Sequence, residues 1–76
     1  MEEAEEQFNG SDYKNAIKSY KKVCTYDTSS AAAVYMLARA YEKNGDNDNA
    51  KKYYQQVVDK FPDSDQAERA RSALDK

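Results

Sequence analysis

The sequence predicts an all-α fold of about five short helices, packed as antiparallel hairpins and stacked one against the next. Apolar residues recur at intervals of three and four, which is the spacing of one helix face. The chain also resembles itself after a shift of 34 residues. Glycine, proline and capping residues stand between the periodic stretches, so the helices are short and their connections tight.

The internal repeat aligns residues of the kind that decide packing. Small, aromatic and aliphatic positions coincide, together with an acid near the start of each second helix. The aligned pairs are Ala4 and Ala38, Asp12 and Asp46, Ala16 and Ala50, Tyr20 and Tyr54, and Val23 and Val57. The predicted helices span residues 2–9, 12–26, 30–44, 47–60 and 65–75.

The first half of the chain is divided by one glycine and by a pair of serines. Phe8 belongs to the apolar spacing of the first helix, and Gly10 follows, where a helix can end with a left-handed residue. Asp12 stands where an acid favours the start of the second helix. Ser29 or Ser30 can cap the third helix.

The second half is divided in the same way. Gly45 ends the third helix, and Asp46 stands at the start of the fourth. Pro62 closes the fourth helix. Asp65, with Glu68 three residues later, resembles a capping box for the fifth. Because every connection is short, neighbouring helices are expected to be antiparallel.

The length and composition of the chain exclude several classes of function. A chain of 76 residues forms one small domain, 1–76, with a thin core. Twelve basic residues against fourteen acidic ones argue against a nucleic-acid partner. No run of about 20 apolar residues exists, so we expect no membrane span.

The sequence lacks the residue combinations that catalysis or calcium binding would need. The chain has no histidine, so neither a serine nor the single Cys24 has a histidine base to activate it. Cys24 is therefore expected to be a small core residue. The run that starts at Asp46 begins like a calcium loop, but Lys51 replaces the required glycine and Val57 the required glutamate. We predict no enzyme, no metal, no cofactor and no small-molecule substrate.

One complete unit keeps the offsets of a known repeat. Its anchors are Val34, Leu37, Ala38, Tyr41, Ala50, Tyr54 and Pro62. This pattern resembles the tetratricopeptide repeat (TPR), with Val in place of the usual Trp and Ala in place of Gly. The resemblance divides the chain into a truncated repeat over 1–28, a complete repeat over 30–62 and a closing helix over 65–75. It implies a short TPR-type α-solenoid that serves as a protein–protein interaction module, and a piece of a longer protein.

A finer resemblance concerns the segment that follows the complete repeat. Phe61-Pro62-Asp63-Ser64, followed by Ala67, Ala70 and Leu74, resembles the bacterial envelope-associated tetratricopeptide proteins, such as the Tol-Pal accessory protein. No signal peptide is visible in this chain. Both a periplasmic or cell-envelope location and a cytoplasmic one stay open.

The resemblance also implies where a partner binds. In this family the first helix of each hairpin lines a concave groove, and Tyr and Arg are frequent in binding hot spots. The residues predicted to form a partner-binding groove are Tyr35, Arg39, Glu42 and Lys43, extended by Glu5, Phe8 and Asn9. An ordinary solvated helix face is the alternative interpretation of the same residues.

A second function competes with the groove. Repeat arrays usually need about three units for stability, and this chain has fewer. Ala4, Phe8 and Ile17 are expected to be exposed where the opening helix is short, and exposed apolar patches are contact sites. The alternative is therefore self-association through the N-terminal end, which would give a homodimer.

Overall fold

The chain folds as consecutive α-helices joined by tight turns. The computed structural model describes residue 10 and residues 12–26 and 30–75. In chain order the helices are α1 (Tyr13–Tyr26), α2 (Ala31–Lys43), α3 (Asn47–Lys60) and α4 (Asp65–Leu74). These residues contain no strand, which confirms the all-α prediction. The helix predicted over residues 2–9 lies outside the described residues.

Each of the last three helices begins at a side chain that caps it. The Ser30 hydroxyl accepts from the Ala33 N–H at 3.2 Å and begins α2. A carboxylate oxygen of Asp46 accepts from the Asn49 N–H at 3.3 Å and begins α3. Such caps occupy backbone donors that the helix itself leaves without partners. Asp46 is the residue that the sequence places there, and Ser30 is one of the two serines that it offers as the cap of α2.

The cap of α4 differs from the predicted one by one residue. Ser64, and not Asp65, has the extended backbone of a cap, and its hydroxyl accepts from the Ala67 N–H at 3.0 Å. Asp65 and Glu68 lie in the first turn instead, where carboxylates interact favourably with the helix dipole. The predicted capping box at Asp65 was therefore wrong, because serine and aspartate are nearly equal in cap preference.

Helix α2 ends in a Schellman motif. Gly45 has a φ of 85°, in the left-handed region that favours glycine. Its N–H donates to the Glu42 carbonyl at 3.1 Å, and the Asp46 N–H donates to the Tyr41 carbonyl at 2.9 Å. The chain reverses here within three residues, so α2 and α3 form an antiparallel hairpin.

The connection from α3 to α4 is held by hydrogen bonds of its own. The Ser64 hydroxyl donates to the Phe61 carbonyl at 2.7 Å, and the Ser64 N–H donates to the same oxygen at 3.1 Å. The Arg71 guanidinium donates to the Pro62 carbonyl at 3.2 Å. These bonds fix where α4 leaves the hairpin, and therefore how its face is presented beside α2.

The core is organised around α2. This helix packs against α1, α3 and α4, and six of its thirteen residues are buried. Ala16, Ala38 and Ala50 are each at most 3% exposed, and small residues of this kind let packed helices approach closely. The larger side chains at the centre are Tyr20, Leu37, Tyr54 and Val57, each at most 3% exposed.

A layer of aromatic and cationic groups links the first three helices. The rings of Tyr41 and Tyr53 stack with centroids 5.5 Å apart and an interplanar angle of 3°. The Lys21 ammonium lies 5.7 Å from the Tyr41 centroid, and the Lys52 ammonium lies 5.6 Å from the Tyr53 centroid. A hydrogen bond to Tyr41 raises the pKa of Lys21, so this cation stays charged beside the ring.

Candidate functional site

An open cleft lies where the α2–α3 hairpin meets α4. Its volume is about 510 Å³. Side chains from all three helices line it, and they are mostly polar or aromatic. They are Tyr35, Arg39, Glu42 and Lys43 of α2, Tyr54 of α3, and Arg69, Ser72 and Ala73 of α4.

The wall of the cleft on α2 is an aromatic ring with a cation beside it. Tyr35 is half-buried and its ring lies 5.8 Å from that of Tyr54, tilted by 54°. This distance and tilt are favourable for two aromatic rings. The Arg39 guanidinium carbon lies 6.0 Å from the Tyr35 centroid, at the outer limit of a cation–π contact. The Tyr35 ring and the Arg39 guanidinium therefore lie next to one another on this wall of the cleft.

The floor of the cleft is Tyr54, and a carboxylate holds it in place. Its ring is 3% exposed, and its hydroxyl donates to a carboxylate oxygen of Glu42 at 3.1 Å. Burial raises the pKa of Tyr54 above the usual value of a phenol, and the charge of the neighbouring Glu42 raises it further by a smaller amount. The phenol stays protonated at neutral pH and remains a donor to the carboxylate.

A second, smaller cleft continues the first. It measures about 270 Å³ and shares Glu42, Tyr54 and Ala73 with the larger one. Asn47, Ala50 and Lys51 of α3 complete its lining. Because the two clefts share these residues, we treat them as one groove lined by α2, α3 and α4 and call it the α2–α4 groove.

The α2–α4 groove brings together four of the seven residues proposed from the sequence. Tyr35, Arg39, Glu42 and Lys43 all line it. Glu5, Phe8 and Asn9 lie outside the described residues. That any of these seven residues contacts a partner stays a prediction.

Part of the lining was not anticipated from the sequence. Tyr54 was assigned to the core alone, yet it also forms the floor of the groove. Arg69, Ser72 and Ala73 were not assigned to it at all. Their spacing of three and four along α4 puts them on one helix face, which is a signal that was available. What the spacing could not tell is which face of α4 turns toward α2.

Other kinds of site find little support in the described part of the chain. No group of three or more His, Cys, Asp or Glu side chains comes together there to hold a metal ion. Asp46, which begins the calcium-like run, caps α3 instead. Cys24 is half-buried against the core, as expected of a packing residue. None of the described helices is both long and apolar enough to cross a membrane.

Comparison with known families gives one match. A family model described as a tetratricopeptide repeat matches residues 32–64, a little under half of the chain. This stretch contains α2 apart from its first residue, all of α3 and the turn that leads into α4. Neither a curated protein nor a solved structure matches the chain.

Proposed function

We propose that the chain is a scaffold for protein–protein interaction that binds a peptide or protein partner in the α2–α4 groove. The match of a tetratricopeptide repeat model to residues 32–64 supports the scaffold role. The observation that carries the proposal is the clustering of Tyr35, Arg39, Glu42 and Lys43 around one open cleft. A solvated helix face would need no such concavity, whereas binding sites are concave and contain a few placed polar groups.

The composition of the groove also supports a protein partner. Tyrosine and arginine are the side chains that most often dominate binding energy, and Tyr35 and Arg39 stand in contact on its wall. Tyr54 is already held by Glu42, so little side-chain freedom is lost when a ligand covers it. A surface that is ordered before binding gains affinity in this way.

The test is affinity capture from a lysate of the source organism. The native chain is compared with the double variant Tyr35→Ala/Arg39→Glu, and with a matched control, Tyr26→Ala/Lys22→Glu. Tyr26 and Lys22 are both exposed on α1 and line neither cleft. Circular dichroism must show equal helix content in all three chains.

We expect a partner that the native chain and the control retain and the groove variant loses. Equal capture by the two variants would contradict the groove proposal. It would favour self-association through the N-terminal end, which a dimer mass in light scattering would reveal.

We further propose that the protein is of the bacterial envelope-associated type. The support is the segment Phe61-Pro62-Asp63-Ser64, which in this chain holds the turn from α3 to α4 by the two hydrogen bonds between Ser64 and Phe61. Fractionation of the source cells tests it. Recovery of the protein from the envelope or periplasm is expected, and recovery from the cytoplasm alone would contradict the proposal.

A further inference from the structure

The α2–α4 groove has a charge opposite in sign to that of the whole chain. Four cationic side chains line its two clefts, and the only acid among the lining residues is Glu42. The chain as a whole has a formal net charge of −2. The cations are Arg39 and Lys43 of α2, Lys51 of α3 and Arg69 of α4.

The single carboxylate of Glu42 can offset at most one of these four positive charges. One of its oxygens accepts the hydrogen bond from the Tyr54 hydroxyl, which ties the carboxylate to the floor of the groove. Lys43, Lys51 and Arg69 are exposed, and none of them makes an ion pair within the described part of the chain. Their charges are therefore available to a ligand.

The cations are also spread along the groove. Arg39, Lys43 and Arg69 line the larger cleft, and Lys51 lines the smaller one beyond Tyr54 and Glu42. A single anion can meet only one part of such a row. A peptide with several negative side chains at intervals can contact all of the cations. Complementary charge of this kind favours specific binding and fast association.

We infer that the ligand of the α2–α4 groove is an acidic peptide segment of a partner protein, with Asp or Glu side chains set against Lys43, Lys51 and Arg69. This inference rests on the proposed function of the groove and names the class of its ligand. The half-buried ring of Tyr35 lines the larger cleft together with three of the four cations, and it would pack against the backbone or apolar side chains of the peptide.

The test measures binding of short fluorescein-labelled probes by fluorescence anisotropy. One peptide alternates Glu and Ser, a second has Gln in place of Glu, a third has Lys in place of Glu, and a fourth probe is a short oligothymidine. The variants are Lys43→Glu and Arg69→Glu, with Lys60→Glu as the matched control. Lys43 and Lys60 are both exposed in the last turn of a helix, and Lys60 does not line the groove.

The acidic peptide is expected to bind at low salt, more tightly than the other three probes, and to weaken as salt is added. Lys43→Glu and Arg69→Glu are each expected to weaken it about fivefold or more, because charge reversal replaces attraction by repulsion. Lys60→Glu should leave it within about twofold of the native chain. Circular dichroism shows whether each variant keeps its helix content.

The inference and the proposed function fail in different ways. If the Gln peptide binds as well as the acidic one and Tyr35→Ala weakens both, the groove binds peptides without regard to charge and only the inference is overturned. Equal losses from Lys60→Glu and Lys43→Glu would place binding outside the groove and overturn both. Tighter binding of oligothymidine than of the acidic peptide, or no binding of the acidic peptide, would also overturn the inference.

Discussion

Tyr54 serves both the core and the candidate site. The 34-residue repeat predicts its burial, because it aligns with Tyr20, and both rings are almost wholly covered. The hydrogen bond from its hydroxyl to Glu42 could not be predicted in the same way. The two residues are twelve apart in sequence, and they meet only because α2 and α3 pack with one particular rotation.

Replacing Tyr54 by Phe tests that hydrogen bond at neutral pH. The ring keeps its packing, so the loss is expected to be about 1 kcal/mol of unfolding free energy. Urea denaturation followed by circular dichroism measures it. Tyr26→Phe is the control, since Tyr26 is 89% exposed at the end of α1. A Tyr54→Phe chain as stable as the native one would mean that the hydrogen bond contributes nothing.

The raised pKa of Tyr54 also predicts how stability depends on pH. The folded protein resists ionisation of this phenol, whereas the unfolded chain loses the proton near the usual phenol pKa of 10.0. The stability that Tyr54 contributes is therefore complete below about pH 10 and is lost as pH rises through the folded-state pKa.

Denaturation curves at pH 7 and above pH 10 test this dependence in the native chain and in Tyr54→Phe. The native chain should lose more stability than the variant over that interval. The other six tyrosines are present in both chains, so their effects cancel in the comparison. An equal loss in the two chains would show that the pKa of Tyr54 is no higher in the folded state than in the unfolded chain.

At the scale of the elements, helix ends were predicted from the sequence more accurately than helix faces. Gly45 and Asp46 act at the positions assigned to them, and Ser30 is one of the two serines predicted to cap α2, because turn and cap preferences are local properties of the chain. The error at Ser64 is local too, a choice between adjacent residues that both cap helices well. The face that α4 turns toward the groove depends on the geometry of its turn, which no local preference specifies.

Ser64→Ala tests the corrected cap of α4. The variant loses the acceptor for the Ala67 N–H and the donor to the Phe61 carbonyl, so a loss of about 1–2 kcal/mol is expected. Asp65→Ala, which removes only a first-turn charge, should cost less than about 1 kcal/mol. Thermal or urea unfolding measures both. A larger loss from Asp65→Ala than from Ser64→Ala would return the cap to Asp65.

Gly45→Ala tests the end of α2. A methyl group there would meet no atom within 4 Å, so the cost comes only from the left-handed backbone. About 1–2 kcal/mol is expected by urea denaturation. Gly45→Asn should cost less, because asparagine tolerates this conformation better than alanine does. Equal losses from the two variants would argue against the backbone as their cause.

At the scale of the molecule, the arrangement of the helices makes α2 both the centre of the core and one wall of the groove. Its buried residues pack against the three other described helices. The cleft is lined by Tyr35, Arg39, Glu42 and Lys43 of the same helix. The helical spacing predicts that Val34 and Tyr35, although adjacent in sequence, lie on different faces of α2, one in the core and one at the groove. The cationic character of the groove could not be anticipated, because Arg69 and Lys51 come from helices that the sequence did not place beside it.

Leu37→Ala tests how far the whole fold depends on α2. Leu37 is 1% exposed, and truncation of a buried leucine costs about 2–5 kcal/mol. A chain of 76 residues has little stability to spare, so the variant is expected to be largely unfolded at room temperature by circular dichroism. Met36→Ala, at a half-buried position of the same helix, is the control and should stay folded.

The most direct test of the account is to map the bound surface by NMR. The ¹⁵N-labelled chain is titrated with the partner recovered by affinity capture, and amide shifts are followed residue by residue. We expect the largest shifts at Tyr35, Arg39, Ser72 and Ala73, on the two sides of the α2–α4 groove. Shifts confined to α1, with the groove residues unchanged, would contradict binding in the groove.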